Sequence, residues 1–538
     1  MEQATLRRAG VRAIPEPSVP GPSVARPPAA GRSGAGPVNR QSVFLFVVLA
    51  AQLMVVLDAT IVNVALPHIR SGLGFSAAGL SWVLNAYVLT FGGLMLLGAR
   101  SGDLLGRRRT FLLGVAVFSV GSLLGGFAGS PAELLAARAF QGIGAAFAAP
   151  SSLGLLTAVF PEGQQRVRAI ALFTTVSAAG GAVGLVSGGL LVEWLSWRWV
   201  MFVNVPVGIV VLALGSRVIA ETPRRSGQFD ILGAVMSTAA IAGLVLGLVE
   251  AGSVGWSKPL TVAPLVAGVL LLATFVRNER RAAEPILPMR LLTNLTRTSA
   301  NVARGLVYAG TYGVFFFLSQ FLQNVQGYSP LRSGLTFLPV PVLVFLASQF
   351  GSRLLGRGVR PKSLMLAGTL VALVSLLLTA DLSASSSLTT ILVDLALFGV
   401  GMGLSLVSLT AASLAGVEPR DAGAASGVVN VVQQLGAALG LAILVTVFSG
   451  ATHTAGRGTA SAVPVVVHGL HEAFFTGSLF ALAALALVAL GVRVRRPEAP
   501  AQRAVASHRP LSLAEDNVEV DDEELSSLAD YESLVGTR

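Results

Sequence analysis

Two ionisable residues stand inside long apolar stretches of this 538-residue chain. Asp58 lies in the segment LDATIVNVALP (57–67), and Arg138 opens the segment RAFQG (138–142). An ionisable side chain within an apolar helix is costly, so it is usually kept for a function. A shielded carboxyl can alternate between a neutral and a charged form, and a nearby arginine favours the charged form. We therefore interpret Asp58 and Arg138 as a proton-exchanging pair, with structural hydrogen bonding as the alternative for each.

A charged turn, ARSGDLLGRRR (99–109), follows the second apolar stretch. Its acid is predicted either to cap a helix N-terminus or to pair with arginine. Contacts of this kind form in one arrangement of packed helices and break in another, so we interpret the turn as a gate. A simple topological anchor remains the alternative for its arginines. The predicted gate residues are Asp103, Gly106, Arg107, Arg108 and Arg109.

Polar residues at three further places within the spans are candidates for contact with a solute. Asn63, Gln141 and Asp394 are predicted to line a substrate cavity, because each places a polar group among apolar neighbours. Gln141 lies one helical turn beyond Arg138 and shares its face. Arg304 lies near one end of a span and is expected to extend toward water instead.

Small residues form a stripe along the fifth apolar stretch. Gly180, Gly184 and Gly188 recur at every fourth position, so they share one helix face. Such a stripe permits close helix packing, and we predict that it also acts as a hinge.

Fourteen apolar stretches of about 20 residues must position these side chains, and each is long enough to cross a bilayer core about 30 Å thick. The composition agrees, because the mean hydropathy is +0.73 and 12% of residues are charged, against roughly 25% in soluble domains. The sequence therefore predicts an all-α integral membrane protein. The spans are expected near 43–66, 79–99, 110–128, 132–158, 168–192, 199–216, 229–250, 259–276, 298–322, 333–355, 362–380, 388–414, 424–449 and 471–492.

The positive charges predict the orientation. With the N-terminus in the cytoplasm, five of the 38 Lys and Arg residues face outside, two lie within spans, and all the others face the cytoplasm. This asymmetry follows the positive-inside rule and predicts that both termini are cytoplasmic. The formal charge of +11 does not indicate nucleic-acid binding, because the charges lie between spans and not on one face of a soluble domain. The external residues are Arg70, Arg198, Lys258, Arg332 and Arg457.

The spans divide into two six-helix blocks, 42–216 and 298–493, with an additional helix pair at 229–276 between them. A weak internal repeat supports a duplication: SRLLGRGVR (352–360) corresponds to the charged turn, with Gly356 where the first copy has Asp103. Repeated halves with a binding site between them are common in secondary transporters. The flanking segments, 1–41 and 494–538, are predicted to be disordered cytoplasmic tails, with regulation as an alternative role for the acidic second tail.

Several chemistries are excluded or disfavoured. There is no cysteine, so thiolate metal sites and disulfides are absent. Lys258 and Lys362 follow Ser257 and Pro361, so no phosphate-binding loop of the form GxxxxGK[ST] exists. The predicted loops are too short for an enzyme domain. We therefore expect no enzymatic activity, no cofactor and no metal, and an energy source in proton or membrane potentials.

The chain resembles the major facilitator superfamily, and within it the fourteen-helix drug:proton antiporter family, across residues 42–493. LDATIVNVALP (57–67) is similar to that family's first-helix signature, and GDLLGRRR (102–109) is similar to the superfamily's loop motif. RAFQG (138–142) resembles the fourth-helix motif implicated in proton coupling. Further similar segments are WRW (197–199), NVPVG (204–208), QNVQGYSP (323–330), ASG (425–427), Asn430 and QQLG (433–436).

Three positions depart from the family pattern. Leu185 replaces the proline that usually follows the glycine of the fifth-helix antiporter motif, so the usual bend of that helix is not implied. Ala99 and Ser101 replace a glycine and a leucine of the loop motif.

The resemblance implies a major facilitator fold of two six-helix bundles with two extra central helices. It also implies a monomeric transporter in a bacterial plasma membrane, which exports amphipathic hydrophobic drugs or antibiotics in exchange for protons. Its expected partners are a small-molecule substrate, protons and the lipid bilayer. Two alternatives remain open: a dedicated exporter of a natural product, siderophore or lipid, and a non-transporting membrane sensor or scaffold.

Overall fold

The structure, a computed structural model, describes residues 40–76, 78–160, 163–222, 230–281, 289–417, 422–455 and 462–492. Residues 1–39 of the first predicted tail, and all of the second, lie outside the described residues. Those ranges contain no strand and hold 14 helices long and apolar enough to cross a membrane. We number them α1 (Arg40–Leu73), α2 (Gly79–Leu105), α3 (Arg107–Phe127), α4 (Pro131–Val159), α5 (Gln164–Trp194), α6 (Trp199–Val218), α7 (Leu232–Val254), α8 (Pro259–Glu279), α9 (Leu295–Val325), α10 (Pro330–Gly356), α11 (Pro361–Ala380), α12 (Leu388–Leu414), α13 (Ala425–Thr452) and α14 (Val463–Gly491).

The helices pack as two groups with a pair beside them. In the first group, α1 packs on α5, while α4 packs on both α2 and α3. In the second group, α9 packs on α13 and α14, and α12 packs on α10 and α11. The remaining pair, α7 and α8, pack on each other, and α7 also contacts α2 and α13. The predicted fold class is confirmed.

Two helix ends differ most from the prediction. α1 continues to Leu73, seven residues beyond the expected end, and α14 begins at Val463, eight residues before the expected start. Hydropathy alone marks where a helix leaves the apolar region, whereas hydrogen bonding can extend the helix beyond that point. In α1 the extension passes through Pro67, which lies inside the helix.

Pro67 affects the contact between the two groups. A helical N–H donates to the carbonyl four residues earlier, and proline has no N–H, so the carbonyl of Asn63 loses its partner within α1. Ser319 of α9 donates to that carbonyl at 2.8 Å. Gln323, one turn further along α9, donates to the carbonyl of Val64 at 2.9 Å. A proline in the first group is thus compensated by side chains of the second.

These contacts lie on what we call the far face, the side where α1 ends; the near face is the side where α1 begins. At the far face, the Glu193 carboxylate of α5 accepts a hydrogen bond from the Leu331 N–H at the start of α10, at 2.9 Å. The backbones approach closely here, because a Cβ added to Gly189 would lie 2.7 Å from the Leu331 Cα. The two groups are therefore closed against each other at the far ends of α5 and α10.

The glycine stripe of α5 lies against α1. A Cβ added at Gly184 would lie 2.0 Å from Thr60 Oγ1, and one at Gly188 would lie 2.8 Å from the Ile61 carbonyl oxygen. Both distances are shorter than van der Waals contact, so α1 and α5 pack at a separation that only glycine allows. Close packing explains the stripe, and its role as a hinge stays a prediction.

We expect Gly188→Ala to lower the free energy of unfolding by about 1–3 kcal/mol, because the added methyl group meets the rigid backbone of α1. Thermal unfolding of the purified protein in detergent measures this. Gly181→Ala is the matched control on the same helix, since its Cβ would meet only Pro341 Cβ, at 3.7 Å. Equal melting temperatures for the two variants would contradict the close packing of α1 on α5.

Candidate functional site

Asp58 and Arg138 form a buried ion pair. The Arg138 Nη1 donates to Asp58 Oδ2 at 2.5 Å, which joins α1 to α4. Both residues are 0% exposed. The sequence predicted each residue separately, and the structure places the two side chains in direct contact. Two opposite charges removed from water together offset much of each other's desolvation cost.

Two amides complete the surroundings of the carboxylate. Gln141 Nε2 and Asn204 Nδ2 donate to Asp58 Oδ1 at 3.1 and 3.0 Å. The same two amides donate to the hydroxyl of Ser122, which itself donates to the carbonyl of Met201. Helices α1, α3, α4 and α6 therefore meet at one polar cluster, which we call the Asp58 cluster: Asp58, Ser122, Arg138, Gln141 and Asn204.

The guanidinium of Arg138 is held on its other sides by α2. Its Nε donates to the carbonyl of Val83 at 3.0 Å, and its Cζ lies 4.5 Å from the centre of the Tyr87 ring. A guanidinium above an aromatic ring gains electrostatic energy when both are shielded from water. The position of Arg138 is thus fixed by α2 as well as by the ion pair.

The Asp58 carboxylate accepts three hydrogen bonds, one of them from a permanent cation. All three donors belong to α4 and α6, so the carboxylate ties α1 to both of these helices.

Two members of the Asp58 cluster were missed by the sequence reasoning as site residues. Asn204 lies in the NVPVG segment, and an amide inside an apolar span was a signal that could have identified it. Ser122 had no such signal, because a serine in a membrane helix usually bonds to its own helix backbone.

The charged turn between α2 and α3 bonds to other helices of the first group. Asp103 pairs with Arg107 at 3.2 Å, and Arg107 Nη1 also donates to the carbonyl of Gly154 in α4 at 2.6 Å. Arg108 Nη2 donates to the carbonyl of Ser216 in α6. Of the two predicted contacts for Asp103, the structure contains the pair with arginine.

The start of α3 is capped by Glu221, which the sequence analysis did not identify. Its Oε1 accepts from the N–H of Arg108 at 3.2 Å, and its Oε2 lies 3.5 Å from Arg109 Nε. An anion at a helix N-terminus is stabilised by the unpaired N–H groups there. Gly106 has a φ of 101°, and a Cβ at this position would lie 2.4 Å from Glu221 Oε1. The glycine is therefore needed both for the turn and for the approach of this carboxylate.

The three residues predicted to line a cavity lie in different places. Gln141 belongs to the Asp58 cluster, and Asn63 lies where α1 meets α9, with its side-chain amide donating to the carbonyl of Ala59. Asp394 of α12 is 2% exposed and accepts hydrogen bonds from two hydroxyls of α11, those of Ser375 and Thr379. The structure does not bring the three together.

A cavity of about 550 Å³ opens at the far face between α1, α9, α13 and α14. Its walls combine one cation with aromatic rings, since Arg70 lies with Phe75, Phe317 and Phe448. Arg70 is twelve residues beyond Asp58 on α1, or about 18 Å along the helix. The cavity is therefore separate from the Asp58 cluster. The described residues include no group of three or more His, Cys, Asp or Glu side chains that could hold a metal ion.

We expect Arg138→Gln to destabilise the fold by about 3–5 kcal/mol, because it leaves the Asp58 carboxylate buried without a countercharge. The double variant Asp58→Asn with Arg138→Gln should recover much of this loss, since no charge remains in the cluster. Thermal unfolding of both variants in detergent tests the pair. A double variant that is less stable than Arg138→Gln alone would contradict it.

Comparison with known proteins assigns the chain to a family. Residues 48–441 match the model of the Major Facilitator Superfamily. The puromycin resistance protein pur8 of Streptomyces alboniger is 40% identical, over 88% of this chain and 96% of that protein. The cephamycin export protein CmcT of Amycolatopsis lactamdurans is 40% identical, over 84% and 93% respectively.

A solved structure has the same fold. It is a bacterial homologue of the human lysosomal transporter Spinster, in an inward-facing and occupied conformation, with a TM-score of 0.63 and 19% identity, over 86% of this chain and 98% of that one. With its membrane-spanning helices and these relatives, the chain belongs to the Major Facilitator Superfamily.

Proposed function

We propose that this protein exports amphipathic, largely hydrophobic drugs or antibiotics in exchange for protons, and that it acts as a monomer. The observation that carries the proposal is the Asp58–Arg138 pair, a titratable acid and a permanent cation joined at 2.5 Å and buried among four membrane helices. The relatives named for puromycin resistance and cephamycin export support the substrate class. A dedicated natural-product exporter would use the same cluster, so only a substrate panel separates the two.

The proton step is proposed to act through α1. Asp58 and Asn63 are five residues apart on this helix, or about 7.5 Å along its axis. Asp58 bonds to α4, whereas the carbonyl of Asn63 accepts from Ser319 of α9 in the other helix group. Protonation of Asp58 would weaken its tie to Arg138 and free α1 to shift. Because α1 also carries the far-face contact, this shift would change how the two groups meet.

We infer that the near face is cytoplasmic, which places both termini inside the cell. The support is the charge distribution, because the arginine-rich turn at 107–109 lies on the near face and the loops of the far face are poor in Lys and Arg. In this state α5 and α10 are closed against each other at the face that we infer to be external. Export then requires the Glu193–Leu331 contact to open.

The charged turn is proposed to act as a gate that stabilises one state of this cycle. Its contacts involve Gly154 and Ser216 of the first helix group and Glu221, which follows the end of α6. The turn would therefore set the relative positions of α2, α3, α4 and α6, and through them the surface offered to the second group. A topological anchor alone would require no such set of specific contacts.

Asp58→Asn should abolish accumulation of substrate against its gradient, measured per folded and inserted molecule because this variant leaves Arg138 without its countercharge. The amide keeps the shape of the carboxyl group but cannot exchange a proton. Proton-driven uptake of a fluorescent amphiphile into inverted membrane vesicles measures this. Asp381→Asn is the control, since it makes the same chemical change at an exposed position at the end of α11. Normal uphill transport by Asp58→Asn would remove Asp58 from the coupling role.

Asp103→Asn should slow turnover by up to about fivefold, because a partly exposed ion pair is worth at most about 1 kcal/mol. Binding of substrate should change less, since this turn lies at the near face and outside the Asp58 cluster. Turnover in reconstituted vesicles and equilibrium binding in detergent give the two values. A large loss of affinity with unaltered turnover would contradict the gate.

The sensor or scaffold alternative makes a different prediction, because a sensor needs no proton-driven transport of solute. Its candidate element, the acidic run from Glu515 to Glu532, lies outside the described residues. The transport measurement on the unaltered protein therefore decides between the two classes.

A further inference from the structure

Arg304 of α9 does not extend to water as the sequence analysis expected. The residue is 8% exposed and lies between α9, α12 and α13 of the second helix group. Its Nη1 donates to Thr410 Oγ1 at 2.6 Å, and its Nη2 donates to Gln433 Oε1 at 3.0 Å. The expectation was wrong because neutral partners on two neighbouring helices hold the guanidinium inside the group.

The charge of Arg304 is not balanced by an acid within the described part of the chain. No carboxylate there lies within 4.0 Å of its guanidinium, and its Nε has no hydrogen-bond partner. Arg138, which is also a buried arginine of a membrane helix, has Asp58 as its partner. A guanidinium at membrane depth with only neutral partners is costly, and an anion at this place would lower that cost.

Two aromatic side chains beside Arg304 could contact the apolar part of an amphipathic molecule. Tyr308 and Tyr312 follow Arg304 at intervals of four residues, so all three side chains share one face of α9. The guanidinium lies 5.5 Å from the Tyr308 ring centre, and both tyrosines are partly exposed. Their rings provide apolar surface that ends in polar hydroxyls.

This face of α9 is directed toward the first helix group. Ser319 lies seven residues beyond Tyr312, so it shares the same face of α9, and it donates to the Asn63 carbonyl of α1. The hydroxyl of Tyr87 is buried and has no hydrogen-bond partner. The stripe from Arg304 to Tyr312 therefore runs along the boundary between the groups.

We propose that Arg304, together with Thr410 and Gln433, binds the carboxylate of an acidic amphipathic substrate, and that Tyr308 and Tyr312 contact its apolar body. This inference rests on the proposed export function and makes it more specific, because it assigns acidic amphiphiles to the transported class. An arginine recognises an oxyanion through two parallel N–H donors, a geometry that a lysine lacks.

Binding of a matched acid and ester tests the proposal. The full chain is reconstituted in phosphatidylcholine nanodiscs, and the Kd is measured for tritiated N-dodecanoyl-phenylalanine and for its methyl ester. We expect the acid to bind about tenfold or more tightly than the ester, since only the acid carries a charge for Arg304. Arg304→Gln should remove this preference and leave the Kd of the ester unchanged, while Arg304→Lys should keep a reduced preference.

Arg332→Gln is the matched control, because Arg332 stacks on Tyr328 at the far face, away from the subsite. It should keep the full preference for the acid. Equal binding of acid and ester by the unaltered protein would overturn the proposal, and this comparison holds even if Arg304→Gln does not fold. Equal weakening of both ligands by Arg304→Gln would also overturn it.

A second membrane composition separates a substrate from a lipid. If phosphatidylglycerol in the nanodisc abolishes the preference for the acid, Arg304 holds a lipid headgroup and the substrate assignment is overturned; a preference that persists supports it. Export is measured apart from binding, as proton-driven uptake of the ester into inverted vesicles. If the ester is not taken up but the protein still binds the acid more tightly than the ester, the result contradicts the export function and leaves the Arg304 subsite in place.

Discussion

The ion pair between Asp58 and Arg138 is the interaction on which the first helix group depends. Each charge offsets much of the other's desolvation cost at this buried position. The amides of Gln141 and Asn204 donate to the remaining oxygen of the carboxylate. The pair also fixes geometry, since α1, α3, α4 and α6 must all lie where their side chains can reach it. The contact that stabilises this helix group is therefore also the one to which the proposed proton exchange is assigned.

Helix α1 connects this cluster to the second helix group. Pro67 leaves the Asn63 carbonyl without a partner in its own helix, and Ser319 of α9 supplies one. In a hydrocarbon environment an unpaired carbonyl is costly, so this contact is a strong tie between the groups in the present state. A state in which the far face opens must satisfy that carbonyl in another way.

The buried arginines Arg138 and Arg304 have different kinds of partner in the two helix groups. Arg138 in the first group has a carboxylate partner, whereas Arg304 in the second has Thr410, Gln433 and an adjacent tyrosine. The weak internal repeat has the same asymmetry, because Gly356 stands where the first copy has Asp103. The first group thus holds the buried ion pair and Asp103, while Arg304 of the second group has no carboxylate partner among the described residues.

The sequence by itself determined the membrane fold and the number of spans, because hydropathy is a local property of the chain. It also identified Asp58, Arg138 and Asp103 as candidate functional residues, because a charge in or beside an apolar span can be recognised from the sequence alone. Only the tertiary structure decided which of these residues meet. Ser122 and Asn204 join the Asp58 cluster from α3 and α6, and Glu221 caps α3 from beyond the end of α6. The carbonyl that Pro67 leaves unpaired receives its partner from α9. Arg304 lies inside its group because Thr410 and Gln433 reach it from other helices. The physical reason is common to all four: hydrogen bonds act over about 3 Å, and the spacing of residues along the chain does not specify which helix faces approach that closely.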